Sequence, residues 1–177
     1  MHFTDALHRA VQRHPDKIAV RCAGGERSYR DFADRVARLA AALQRLGMQP
    51  GDRVAMLSLN SERYLEYQFA VPRGGGVLNP CNIRWSAAEI AYSLRDSGTT
   101  ILLIDERFSG LVAELRLEAP SLREVIYCGD AEAPAGMHAY ETLVAAAAPV
   151  PDMIKHTTGA STSAPNSGEG ARCVRST

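Results

Sequence analysis

Apolar residues recur along this chain in two alternating rhythms, one suited to helices and one to buried strands. Over 6–13, Leu7, Ala10 and Val11 share a helical face, and the pattern stops before His14-Pro15 because proline disfavours helix in the residue it follows. Ile18–Cys22 and 26–29 flank Ala23-Gly24-Gly25, which predicts a hairpin. Ser28 followed by Asp31 starts a longer helix with Phe32, Val36, Leu39, Leu43 and Leu46 on one side, ended by Gly47 in a left-handed conformation. Pro50-Gly51 fits the centre of a type II turn, and the apolar run 54–59 reads as a strand covered on both faces.

Asn60 or Ser61 caps the next helix, which Pro72 should close after Val71. Val77-Leu78 begins a short strand. Ser86 and Glu89 form a capping box for a helix carrying Ile90 and Leu94 and ended by Ser97-Gly98. The run 99–104 is a third buried strand. Leu111, Val112 and Leu115 mark a helix stopped by Pro120, 124–128 is a fourth strand, and 140–148 is a weaker last helix with no strand after it. Such alternation predicts an α/β fold: a mostly parallel sheet with helices on both faces, right-handed crossovers and an N-terminal hairpin. From Pro149 the large apolar residues and the periodicity both disappear, so 149–177 is expected to be a disordered tail behind a domain over 1–148.

Charge narrows the range of partners. Lys+Arg and Asp+Glu both total 20, giving a formal net charge of zero. No single-sign field is available to hold a phosphate backbone or an anionic membrane surface, so nucleic acid is not an expected partner. No apolar run approaches the ~18 residues of a transmembrane helix, and the N-terminus has charges throughout and no apolar signal core. Cys22, Cys81, Cys128 and Cys173 form no close pair of the kind zinc sites use, and the first three read as small core residues. A reducing, cytoplasmic setting follows.

Several constellations invite chemistry and fail on context. Gly74-Gly75-Gly76 follows a helix and precedes a strand, the reverse of a phosphate loop, and reads as a tight connection. Thr157-Thr158-Gly159 has no lysine after it; the lysines are Lys17 and Lys155. His2, His8, His14, His138 and His156 show no metal spacing and no neighbouring nucleophile motif, which leaves solvated or capping roles. Glu62, Arg63 and Glu66 look like the wet face of a helix, and Asp52, Asp96 and Asp105 suit strand ends and turns. No acid–base pair is expected among them, nor a catalytic residue or metal ligand elsewhere.

Taken in order, S-Y-R-D-F at 28–32, G-x-x-P-G-D-R-V-A at 47–55, Asn60, G-G-V-L-N-P-x-N at 75–82, R-W-S-x-x-E-I at 84–90 and D-S-G at 96–98 resemble the amino-terminal part of AMP-forming acyl-CoA synthetases. That superfamily includes luciferases and peptide-synthetase adenylation domains. The resemblance covers about 7–148, and N-P-C-N-I-R followed by W-S resembles the fatty-acyl or related branch. It implies that a carboxylate attacks the ATP α-phosphate to give acyl-AMP and pyrophosphate, after which the CoA thiol displaces AMP. ATP, Mg²⁺ and CoA are thus implied cofactors and a small carboxylate the implied substrate. Family members act mainly by positioning and charge stabilisation. Arg84 aligns with an arginine that reaches the CoA phosphates in some members, a role guanidinium geometry suits; as a plain residue it reads as a surface arginine ahead of a helix.

The family's phosphate loop and its small C-terminal domain follow the region matched, and the loop is expected near HTTGASTSAPNSGEG. That tract has the Ala/Gly/Ser/Thr/Arg/Pro bias of GC-rich codons read out of frame, and 18 arginines against 2 lysines point to a GC-rich genome. A slip of the reading frame near Asp152 is the expectation. Three readings follow: a synthetase fragment inactive by itself, a non-catalytic module that binds CoA, a nucleotide or a homologue through a sheet edge, or a poorly folding product with exposed apolar surface. Acyl-chain length is not legible, and monomer and homo-oligomer both stay open.

Overall fold

The computed structural model describes residues 4–22 and 25–151. In chain order it contains α1 (Asp5–Arg13), the hairpin strands β1 (Ile18–Cys22) and β2 (Gly25–Ser28), α2 (Tyr29–Arg45), β3 (Arg53–Leu57), α3 (Glu62–Arg73), β4 (Val77–Pro80) and α4 (Ala87–Asp96). There follow β5 (Ile101–Ile104), a 3-10 turn (Glu106–Leu111), α5 (Val112–Glu118), β6 (Glu124–Tyr127), β7 (His138–Ala139) and α6 (Tyr140–Ala146). The hairpin is a separate antiparallel pair, while the other strands form one five-stranded sheet in the order β4-β3-β5-β6-β7, parallel at every pairing.

The strands are apolar because both faces of the sheet are covered. Val54 and Met56 of β3 point into a core with α1, α2, α3 and α6, where Leu7, Phe32, Leu39, Tyr67, Val71 and Tyr140 are buried. Ala55 and Leu57 point the opposite way, into a second core with Ile90 and Leu94 of α4 and Val112 and Leu115 of α5. Period-two alternation in a strand thus feeds two cores, and each large side chain removed from water contributes roughly 1.5–3 kcal/mol. Since β4 and β5 lie on opposite sides of β3, the chain reverses its direction of winding there. In open α/β sheets a ligand crevice forms outside the carboxyl ends of the strands at such a point.

Local signals act as expected in most places. Ser28 accepts the Asp31 N–H, Ser61 accepts the Tyr64 N–H, and Ser86 with Glu89 completes a capping box. Asp52 N–H donates to the Gln49 carbonyl at 3.0 Å across Pro50-Gly51, with Gly51 at φ 87°, the type II geometry. Gly74-Gly75-Gly76 joins α3 to β4 as a tight connection: Gly75 has φ 90°, and a Cβ on Gly76 would sit 2.8 Å from Met48 Sδ.

The structure departs from the sequence reading at three elements. Pro72 lies inside the last turn of α3 rather than ending it; the helix runs to Arg73, and N–H groups of Gly74, Gly75 and Gly76 close its end on Ala70, Pro72 and Val71. So near the terminus, the ring's missing N–H costs only one rung. β7 was not anticipated, and it stands directly before α6, pairing Ile126 with His138 and Tyr127 with Ala139. Cys22, expected in the core, is exposed, whereas Cys81 and Cys128 are buried. Of the expected disordered tail, 149–151 are described and Val150 N–H donates to the Ala37 carbonyl at 3.4 Å; 152–177 and the Thr157-Thr158-Gly159 reading lie outside the described residues.

Candidate functional site

Residues of the hairpin strands, the loops after β3 and β6 and the starts of α3 and α6 border a cleft of about 430 Å³ beyond the carboxyl end of the sheet, where Cys22, Arg27, Asn60, Arg63, Asp130 and Glu141 are among the lining residues. Its charges are interlocked. Arg27 pairs with Glu62. Arg63 donates to Asp130 at 2.7 Å, to Glu141 at 3.1 Å and to the Cys128 carbonyl at 2.6 Å. Arg35 of α2 grips Glu141 at 2.9 and 3.1 Å and Glu66 at 2.5 and 3.1 Å. Tyr140 donates its hydroxyl to Glu66 at 2.5 Å, and the Arg35 and Arg63 guanidinium groups approach its ring at 6.0 and 5.7 Å.

Glu66 is therefore not on a wet face: its side chain is 0% exposed, and the sequence reading of that helix face is corrected. A carboxylate taken fully out of water persists only when paired and hydrogen-bonded, and here a bidentate guanidinium and a phenol supply both. Glu62 and Arg63, read with it, are also largely covered. Burial lowers the affinity of Arg35 for its proton, but bonds and charge from Glu66 and Glu141 outweigh that and hold its pKa above the ordinary value. For Glu141, burial favours the neutral form, yet Arg35 and Arg63 together depress its pKa. Desolvation first, then the Glu66 charge, push Tyr140 well up.

This network ties α2, α3 and α6 together and leaves little for a ligand. A triphosphate needs cations free to turn toward it, and magnesium needs oxygens not already spent on guanidinium groups. The described residues of the cleft fit neither. No group of three or more His, Cys, Asp or Glu suited to a metal occurs among the described residues. At the winding reversal itself, just past the carboxyl ends of β3 and β5, the buried Ser58 hydroxyl lies within hydrogen-bond distance of the Leu59 carbonyl at 2.9 Å and of Asp105 at 3.2 Å.

A second feature lies at the carboxyl end of β4, where N-P-C-N-I-R turns into α4. Asn79 donates its side-chain amide to Ser97 at 3.0 Å and Thr99 at 2.9 Å, fixing β4 to the far end of α4. Asn82 accepts the Arg84 N–H at 3.0 Å and its carbonyl accepts the Trp85 N–H at 3.1 Å, which folds the turn. Arg84 stands on this turn with its side chain exposed, and among the described residues its guanidinium has no partner. Beside it, Trp85 is 38% exposed and borders a shallow groove of about 520 Å³ with Tyr92, Glu89 and Asp96.

Three further sequence candidates are held in structural contacts. His138 pairs with Glu124 at 2.8 Å, Asp52 accepts the Gln49 N–H at 2.9 Å, and Asp105 accepts the Arg107 N–H at 3.0 Å. Burial pushes the thiols of Cys81 and Cys128 up to about 11 and about 12, far from a reactive thiolate. No helix among the described residues is long and apolar enough to cross a membrane.

Comparison with known proteins places these features in a family. A fatty acid–[acyl-carrier-protein] ligase of Streptomyces coeruleorubidus is 38% identical over 117 residues, which is 66% of this chain and 22% of that protein. A feruloyl-CoA synthase of an Amycolatopsis species is 39% identical over 107 residues, covering 60% of this chain and 22% of that protein. The crystal structure described as a putative long-chain-fatty-acid CoA ligase of Rhodopseudomonas palustris superposes with a TM-score of 0.75 at 29% identity, over 86% of this chain and 37% of that one. The chain thus spans about a fifth of the length of the curated relatives it matches. Residues 7–165 match the family described as AMP-binding enzyme, so the chain belongs to the AMP-binding, adenylate-forming family and corresponds to its N-terminal region.

Proposed function

We propose that this chain is the scaffold portion of an ATP-dependent acid–thiol ligase, in which a carboxylate and ATP give acyl-AMP and pyrophosphate and CoA then displaces AMP. The observation that carries the reading is the family match over 7–165 on a parallel sheet with the family's fold. The described residues supply the two cores and the interlocked carboxyl-end cleft. ATP and Mg²⁺ belong to residues outside them, because the cleft's charges are already spent on one another. The acid and the thiol both differ between the relatives above, one named for a fatty acid and a carrier protein, the other for ferulate and CoA. A fatty or related acyl group is our choice from N-P-C-N-I-R-W-S.

Arg84 is the contact we assign to CoA, through its phosphates: its guanidinium is exposed on a fixed turn and has no partner among the described residues. The same observation favours a second reading, a CoA-binding module without turnover. Incubating the purified chain with ATP, Mg²⁺ and a panel of fatty and aryl acids tests the first reading; we expect no acyl-AMP and no pyrophosphate. Pyrophosphate release that depends on the acid would overturn the assignment of catalysis to other residues, while a calorimetric CoA signal without it supports the module. The family match runs to residue 165, and we keep a slip of the reading frame near Asp152 as our reading of the compositional bias in 149–177. Translating the neighbouring frames of the gene checks this: phosphate-loop residues are expected in another frame from Asp152 onward, and their absence would overturn it. The cytoplasm is the compartment that suits the unpaired thiols.

A further inference from the structure

The rungs of the ladder joining β3 to β4 are visible on either side of Asn79: Val77 N–H donates to the Asp52 carbonyl at 2.8 Å and Cys81 N–H to the Met56 carbonyl at 2.9 Å. At the rung between them a side chain takes part. Tyr67 of α3, fully buried, donates its hydroxyl to the Val54 carbonyl at 2.8 Å and accepts the Asn79 N–H at 3.0 Å. One phenol oxygen thus joins both strands and the helix that covers them. Asn79 is held at its backbone by Tyr67 and at its amide by Ser97 and Thr99, and only Pro80 and Cys81 separate it from the turn that presents Arg84.

We propose that Tyr67 is a positioning residue for CoA recognition, acting through Asn79 to fix the height and direction of the Asn82–Ser86 turn and hence of Arg84. This rests on the reading of Arg84 given above. The geometry supports it because β4 is an edge strand of four residues, paired on one side only, and ends at Pro80. An edge strand this short takes its position from its few anchors, and only the Cys81 rung lies between those at Asn79 and the turn. Removing the hydroxyl takes a donor from the buried Val54 carbonyl and an acceptor from the half-buried Asn79 N–H, and the strand end loses its tie to α3.

The test uses the chain's single tryptophan, Trp85, which adjoins Arg84 and reports on the turn by fluorescence. CoA and 3′-dephospho-CoA are titrated into the wild type, Tyr67→Phe, Arg84→Gln and the double variant. Arg84→Gln should weaken CoA binding about tenfold, the loss of one charge-assisted contact. Tyr67→Phe should weaken it roughly three- to tenfold while Arg84 is present and less than about twofold in the Arg84→Gln background, the non-additivity of residues acting as a unit. Acrylamide quenching of Trp85 and amide exchange at Asn79 should both rise in Tyr67→Phe. Should that variant not fold, Asn79→Ala keeps the hydroxyl, releases the other anchor and should give the same CoA pattern. CoA binding unchanged in Tyr67→Phe while Arg84→Gln weakens it, or weakened equally in both backgrounds, overturns the positioning role. Binding unaffected by Arg84→Gln, or no response to CoA in the wild type, overturns the reading beneath it.

Discussion

Glu66→Ala strands two groups at once. Arg35 loses a bidentate partner and keeps only Glu141, which is half exposed, while the buried Tyr140 hydroxyl loses its acceptor. Breaking a buried ion pair from one side costs about 3–5 kcal/mol; because Arg35 keeps one carboxylate and some water, the lower end applies, about 3 kcal/mol. The orphaned phenol adds about 1 kcal/mol. Together these remove a large share of the roughly 5–15 kcal/mol that holds a domain folded, and at about 2–4 °C per kcal/mol they lower the midpoint by roughly 8–16 °C. Urea unfolding followed by circular dichroism measures the difference. The loss should persist at about 1 M salt, since a carboxylate sealed from solvent is screened little. Tyr140→Phe should cost about 1.5 kcal/mol. Arg35→Met combined with Glu66→Met should be more stable than Glu66→Ala, because no charge is left unpaired. A Glu66→Ala protein within about 1 kcal/mol of wild type would refute the account of this network.

Other expectations follow from single contacts. Glu141 has its pKa depressed in the folded state, so its contribution is complete above the unfolded glutamate value of about 4.3 and is lost as pH falls through the folded one. Denaturant midpoints of the wild type should therefore drop more steeply than those of Glu141→Gln between roughly pH 5 and 3; parallel curves would contradict the pairing with Arg35 and Arg63. Ser86→Ala should cost about 1 kcal/mol by chemical denaturation and Ser86→Gly only a few tenths, because the cap is lost in one and partly replaced by conformational freedom in the other. In a Cys173→Ser background, a native thiol titration should find Cys22 reacting quickly and Cys81 and Cys128 only after denaturant is added; rapid labelling of all of them would mean that the core opens readily.

Elements set by local chemistry were legible in the sequence. Ser86 with Glu89, the Pro50-Gly51 turn and the apolar runs that became β3, β5 and β6 carry their own instructions, because caps, φ preferences and two-sided burial are written within a few residues. Features created by distant partners were not. Glu66 meets Arg35 31 positions away in the chain and Tyr140 74 positions away, and a glutamate on a helix reads as solvated until those partners are known. One trace existed: Glu66 precedes Ala70 by four residues, continuing the buried stripe of Tyr67, Ala70 and Val71. β7 carried no pattern, since two residues are too short for a period and owe their conformation to β6. Arg84 was identified by resemblance alone, while Tyr67, spaced as a core residue, gave no sign that its hydroxyl would enter the sheet.

The arginines have a meaning that composition hides. Arg38 and Arg45 of α2 donate to the Ala147, Ala146 and Leu143 carbonyls at the end of α6, and Arg73 donates twice to that of Val150. With Arg35 and Arg63, these side chains work as internal rivets, each using several prongs of a planar head. A primary ammonium on a flexible stem could not span the same sets of oxygens. The preference for arginine, whatever codon usage favours it, is therefore mechanical, and lysine scanning of α2 should loosen the helical layer even though every charge is conserved.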